Sequence, residues 1–263
     1  GKSTLIRMLT GAEVPDSGTV LIDGEELTHA GSARAQQAFS HGVRVVYQEL
    51  SLVPGMSLAE NLFLGRWPRK GGVIHHRAMI AEAKAAMHRL GLDLSPDTLV
   101  SALSPAERQL LEIARALLGN PKLVILDEPT SSLAAAEAEK VMAAVTRVAA
   151  EGIAVIYVSH RMDEISEISD RLTILRDGRK VTTAETRSTS VSQMIEHIVG
   201  KKARDFSNLT LSRKALGAPV LELDALQDAH KLRPVSLSLR EGEVVGLAGL
   251  LGCNRRLLYD RMS

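Results

Sequence analysis

At 263 residues with 45% hydrophobic side chains, the chain is long enough for one large domain or two small ones, and with aromatics at only 3% its core must be aliphatic. The 32 basic and 31 acidic residues are interspersed without a polybasic run, which argues against nucleic acid as the main partner. The single cysteine, Cys253, excludes an internal disulfide and suits a reducing compartment, and no apolar run approaches the roughly 18 residues of a membrane span. No signal peptide is evident, and the ends, GKSTLIRML without an initiator Met and LLYDRMS, read as those of a fragment.

The chain opens on Gly1-Lys2-Ser3-Thr4 followed by an apolar helical run. This matches the end of a phosphate-binding loop, G-x-x-x-x-G-K-[ST]. In such a loop, backbone N–H groups and a helix N-terminus hold phosphate oxygens. Lys2 would reach the β- and γ-phosphates and Ser3 would ligate Mg²⁺. A capped helix start explains the same four residues.

TVLIDGEEL (19–27) carries Asp-Gly between apolar runs and predicts a β-hairpin. VRVVYQ (43–48) is short and β-branched, as a strand buried on both faces would be, and it ends on Gln48. HHRAMIAEAKAAMHRLG (75–91) places Met79, Ile80, Ala83, Met87 and Leu90 on one helical face, with Gly91 to end it. SPAERQLLEIARALLG (104–119) has strong start signals: Ser104 as N-cap, Pro105 at the first helical position and Glu107 to complete a capping box.

KLVILDE (122–128) is a second buried strand, ending on Asp127 and Glu128. A helix follows over 134–152, then a third buried strand, AVIYVSH (154–160), ending on His160. LTILRDGRKV (172–181) predicts another Asp-Gly hairpin. The polar stretch 200–219 reads as a linker, after which strand character resumes as the start of a second domain.

Alternating strands and helices indicate an α/β fold. Ligands of open parallel sheets sit beyond the carboxyl ends of strands, so three polar strand endings in one place make a site. Asp127 suits a Mg²⁺-ligating acid, and Glu128 would polarise the water that attacks the γ-phosphate. Gln48 could touch the metal or that water, and His160 could hold the γ-phosphate. Alone, a turn after a strand explains the acids and a structural role explains the histidine. The order Lys, Gln, capped helix, Asp-Glu, His favours the chemical reading.

The chain resembles the ATP-binding subunit of an ABC transporter. GKST corresponds to the end of Walker A, VVYQE to the Q-loop and LSPAERQLLEIARAL to the signature helix; LVILDEPTSSL corresponds to Walker B with the D-loop, and VIYVSHRMDEI to the switch histidine. YQELSLVPGMSLAENLFLGR, SHRMDEI, and LRDGRKV followed by MIEHIVGK are similar to the ribose-, galactose- and xylose-type importers, whose ATPase subunit carries two nucleotide-binding domains in one chain.

The resemblance implies a P-loop NTPase, an ABC-type nucleotide-binding domain with an antiparallel β subdomain and a helical subdomain. Its layout would be a first domain over 1–200, lacking its N-terminal strands and most of Walker A, a linker over 201–218 and a truncated second domain over 219–263. It implies ATP hydrolysis coupled to monosaccharide import, with ATP and Mg²⁺ as cofactors. Catalytic roles fall to Glu128 and His160. Nucleotide contacts fall to Gly1, Lys2, Ser3, Thr4, Gln48, Ser104, Ala106 and Asp127, and metal contacts to Ser3, Gln48 and Asp127. The implied partners are membrane permease subunits, a second nucleotide-binding domain of the same chain and, indirectly, a sugar-binding protein. The implied location is peripheral, on the cytoplasmic face of the inner membrane. A soluble ABC ATPase of translation or DNA repair is the alternative.

The motifs also depart from the family pattern. The signature L-S-G-G-Q is Leu103-Ser104-Pro105-Ala106-Glu107, and Ala134 replaces the D-loop acid. GLAGLLGCNRRLL aligns with a second Walker A, in which Asn254 stands for a Gly and Arg256 for the Ser or Thr. The aromatic that stacks on adenine lies upstream in the family. The segment from about Leu50 to Gly65 is read as the surface that meets the permease.

Overall fold

The computed structural model describes residues 1–28, 31–199, 218–228 and 232–241. The chain divides into two compact units, Gly1–Lys201 and Lys202–Ser263.

In the first unit the elements are α1 (Lys2–Leu9), β1 (Leu21–Ile22), β2 (Glu25–Glu26), α2 (Ser32–Ser40), β3 (Val43–Val46), α3 (Leu58–Leu62), β4 (Arg69–Lys70), β5 (Val73–Ile74) and α4 (His76–Arg89). They continue as α5 (Pro105–Leu117), β6 (Leu123–Asp127), α6 (Ala135–Ala150), β7 (Ala154–Val158), α7 (Met162–Ile168), β8 (Arg171–Arg176), β9 (Arg179–Glu185) and α8 (Val191–Val199). In the second unit, β10 (Pro219–Asp228) and β11 (Leu232–Arg240) pair antiparallel.

A parallel sheet of order β3-β6-β7 organises the first unit. Side chains of β6 alternate between two cores. Val124 and Leu126 join the larger one, with Leu58, Leu62, Met87 and Leu111, whereas Ile125 faces Ile6, Leu27, Ala38 and Val43. Helices therefore cover both faces of the central strand, and that is why its run is continuously apolar.

β7 departs from the expectation of burial on both faces. It is an edge strand among the described residues, and Ala154 and Ile156 are exposed. The strand over 43–48 ends earlier than expected, at Val46, leaving Tyr47 and Gln48 exposed in the following loop.

The Asp-Gly dipeptides turn both expected hairpins. Asp23 and Gly24 have φ of 55° and 81°, and Asp177 and Gly178 have 51° and 75°. Two successive positive φ values are what a type I′ turn demands. On α4, Met79, Ala83 and Met87 are buried and Ile80 is half-buried; Leu90, at the C-cap, is buried too. Gly91 follows with φ 73°. α5 starts as its sequence specifies: Ser104 Oγ accepts from the Glu107 N–H at 3.3 Å, and Glu107 Oε2 accepts from the Ser104 N–H at 2.8 Å.

The linker and the second phosphate-loop segment, including Cys253, Asn254 and Arg256, lie outside the described residues. Among the described residues no helix is long and apolar enough to cross a membrane.

Candidate nucleotide-binding site

Parallel pairing fixes the site. Asp127 is in register with Val158, so the chain segments that follow β6 and β7 leave the sheet side by side. The Glu128 N–H donates to the Val158 carbonyl at 2.8 Å, adding one rung beyond the strand. Glu128 itself has φ 49°. For a residue with a Cβ this left-handed conformation costs about 1–2 kcal/mol, and it re-aims the side chain after the strand ends.

That side chain meets two partners. Lys2 Nζ, on the first turn of α1, lies 3.5 Å from Glu128 Oε1, and His160 Nδ1 lies 3.3 Å from Glu128 Oε2. Lys2 Nζ also donates to the Ser159 carbonyl at 3.5 Å. The carboxylate is 21% exposed, against 42% for the lysine and 61% for the histidine, so the group opens to solvent on the lysine and histidine side. Burial pushes the Asp127 carboxyl above its ordinary range; the neighbouring Glu128 charge adds to this and Lys2 opposes it.

α1 presents a helix N-terminus to the same place. Its N-cap is Gly1, no side chain caps it, and no acid occupies its first turn. Gly1, Lys2, Ser3 and Thr4 are all exposed. Such an end attracts anions. An uncapped helix start, a lysine, a free-standing Ser3 hydroxyl and the Asp127 carboxylate fit a polyphosphate with a hard divalent cation, which usually takes one or two protein oxygens beside phosphate and water. Among the described residues no cluster of three or more His, Cys, Asp or Glu side chains forms a metal cage.

Lys2, Asp127, Glu128 and His160 thus come together. Gln48 is two residues beyond β3 on the same sheet edge, but its exposed side chain makes no hydrogen bond to the others. Ser104 and Ala106 sit at the start of α5, with no hydrogen bond or ion pair to Lys2, Glu128 or His160. The Glu107 carboxylate is engaged by the Ser104 N–H in the helix cap described above.

A second set of residues, not legible in the sequence, lies behind the site. Glu164 on α7 is 1% exposed and is bonded to Thr130, Tyr157, Ser159 and Arg161. Glu164 is one of three acids on a two-turn helix, and nothing in their spacing marks it as the buried one.

The segment after Gln48 is only partly surface. Leu58, Leu62 and Phe63 are buried in the larger core. Asn61, fully buried, accepts from the Val53 N–H at 2.7 Å and donates to the Val53, Met56 and Ser57 carbonyls. Leu50, Val53 and Leu64 remain exposed.

The family model for ABC transporters matches residues 1–131, the stretch from the Lys2 helix through the Asp127–Glu128 pair. The chain belongs to the ABC transporter ATP-binding family. It is 48% identical over 255 residues to the uncharacterized ABC transporter ATP-binding protein YphE of Escherichia coli K12, covering 97% of this chain and 50% of that protein. It is 43% identical to the arabinose import ATP-binding protein AraG of Rhizobium johnstonii, over 98% of this chain and 52% of that one. Among solved structures, the ATP-binding cassette MJ1267 of an ABC transporter aligns with a TM-score of 0.65 at 26% identity, covering 76% of this chain and 84% of that one. This ABC domain therefore has the P-loop NTPase fold, and the chain spans about half the length of the curated relatives it matches.

Proposed function

We propose that the chain is part of an ATP-hydrolysing subunit that energises import of a monosaccharide through an ABC transporter. The observation that carries this is the convergence of Lys2, Glu128 and His160 at the carboxyl edge of the sheet, in a chain 43% identical to an arabinose import ATP-binding protein.

Each residue then has a role. Gly1, Lys2, Ser3 and Thr4 hold the phosphates. Ser3, Asp127 and Gln48 hold Mg²⁺, whose chemistry is to neutralise charge on the phosphate oxygens. Glu128 polarises the attacking water and His160 contacts the γ-phosphate. Ser104 and Ala106 belong to the signature face, which in this architecture serves the site of a facing nucleotide-binding domain. Phosphoryl transfer asks for positioning and electrostatics more than covalent chemistry, and side chains on rigid strand ends supply both.

Residues 1–200 are the first nucleotide-binding domain, 201–218 the linker and 219–263 the start of a second. The subunit works at the cytoplasmic face of the inner membrane with permease subunits, receives sugar indirectly from a binding protein and uses no nucleic acid. The permease-facing surface narrows to Leu50, Val53 and Leu64.

The test is sugar uptake by the full-length protein reconstituted with its permease in vesicles. ATP-dependent uptake that is lost in Glu128→Gln supports the reading. ATP hydrolysis without any sugar transport would sink it.

A further inference from the structure

Glu164 is a buried acid that the proposed chemistry leaves unused. It is 1% exposed, and its ion-pair partner Arg161 is half-buried. Four groups approach its two oxygens. Thr130 Oγ1 is 2.7 Å from both, Tyr157 OH is 3.0 Å and Ser159 Oγ 3.1 Å from Oε2, and Arg161 Nη1 is 3.0 Å from Oε1. Each can donate, and a carboxylate is the side chain that only accepts. Burial pushes the Tyr157 phenol upward, so it stays a donor.

The donors come from different segments. Thr130 is two residues after Glu128, and the Ser131 N–H returns to the Glu128 carbonyl at 3.2 Å. Tyr157 is on β7. Ser159 offers its carbonyl to Lys2 while its hydroxyl meets Glu164, and the same hydroxyl accepts from the Arg161 N–H at 3.0 Å. His160 is therefore flanked on both sides by residues bonded to Glu164.

We propose that Glu164 is a positioning residue: one buried carboxylate ties the segment after β6 to the segment after β7, and so holds Glu128, His160 and the Lys2-accepting carbonyl in one arrangement. It never touches the nucleotide. The assignment rests on the ATPase reading above. A displacement of about 1 Å at reacting groups can cost on the order of 10²-fold in rate, whereas the backbone N–H groups of the α1 N-terminus, which draw phosphate, have no bond to Glu164.

The experiment is steady-state ATP turnover by the full-length protein, with KM and melting temperature measured on the same samples. Glu164→Gln should lower kcat by about 10- to 100-fold with KM for ATP within about threefold of wild type. Thr130→Val, which removes one hydroxyl at nearly constant shape, should do the same, and Thr130→Ser should restore kcat to within about threefold. If Glu164→Gln does not fold, Thr130→Val and Ser159→Ala carry the test. Unchanged kcat in folded variants overturns the proposal. So does a parallel loss of kcat, ATP affinity and melting temperature, the mark of a merely structural acid, or failure of Thr130→Ser to rescue. A wild-type protein that hydrolyses no ATP overturns the ATPase reading and this assignment together.

Discussion

Lys2 Nζ and Glu128 Oε1 stand 3.5 Å apart, so the groups proposed to bind phosphate and to activate water hold each other. Both are partly solvated, and a pair of this kind is worth about 1 kcal/mol or less. A polyphosphate at the α1 N-terminus displaces Glu128 from Lys2 easily. Glu128→Gln should therefore bind ATP as tightly as wild type or slightly better, while turnover falls by about 10²–10⁴-fold. Nucleotide titration and steady-state hydrolysis on the full-length protein check both halves. Turnover within a few-fold of wild type removes Glu128 from its role.

Asp127 predicts a pH effect of defined sign. Its carboxyl is raised by burial first and by Glu128 second. A folded-state pKa above the unfolded one means that the native state binds more protons, so stability falls as pH rises from the unfolded value of 3.8 through the raised value. An ionised Asp127 is then destabilising, which suits a residue proposed to be kept for metal binding. Asp127→Asn should raise the melting temperature of the nucleotide-free protein at pH 7. The gain should vanish at acid pH, where the wild-type carboxyl is also neutral, and hydrolysis should be lost. A lower melting temperature for Asp127→Asn at pH 7 contradicts this.

Within the segment after Gln48, Leu58 and Met56 should behave differently. Leu58 is fully buried and Met56 is half-buried. Leu58→Asp places an unpaired charge in the larger core and should give no folded protein, whereas Met56→Asp should fold. Asn61→Ala removes four hydrogen bonds that shape the Val53–Ser57 turn, and should cost about 2–4 kcal/mol, readable by denaturant unfolding. If Leu58→Asp folds and transports normally, the burial of this segment is wrong.

The sequence reveals most where a local rule has one solution. Asp-Gly between apolar runs turns as I′ at both places, and Ser104, Pro105 and Glu107 start a helix where they stand. Strand ends are less legible. Tyr47 and Gln48 continue the pattern of β3 but leave the sheet, because β6, its parallel partner, pairs with it only through Val46. The exposure of Ile156 depends on which strands flank β7, and this is a tertiary fact. The order of Lys2, Asp127, Glu128 and His160 along the chain singled out the side chains that the fold brings together. The Glu164 network was not legible, because its members are scattered over 35 residues and each is ordinary alone. Neither did the sequence announce that Glu128 would take a left-handed φ, a strain that only the strand-to-loop geometry imposes.

Ala134 offers a stability test that also touches function. It is the N-cap of α6, with φ −67° and ψ 157°, the extended geometry an N-cap residue adopts. Glu137 already occupies the N3 position of a capping box, its Oε2 accepting from the Ala134 N–H at 3.4 Å. The reciprocal bond is missing, because alanine has no side-chain acceptor for the N3 N–H. Ala134→Asp supplies that acceptor and places a negative charge at a helix start, and each effect is favourable. The two acids lie three residues apart and repel, so Ala134→Ser is the cleaner capping variant. Ala134→Ser should stabilise by about 0.5–1.5 kcal/mol and Ala134→Asp by no more than that. Ala134 also stands where the resemblance places the D-loop acid. A change in ATP turnover in Ala134→Asp without one in Ala134→Ser would therefore report the charge rather than the cap. Melting curves of both variants, with turnover on the same samples, decide it; loss of stability in Ala134→Ser would mean that α6 does not begin where its backbone geometry says.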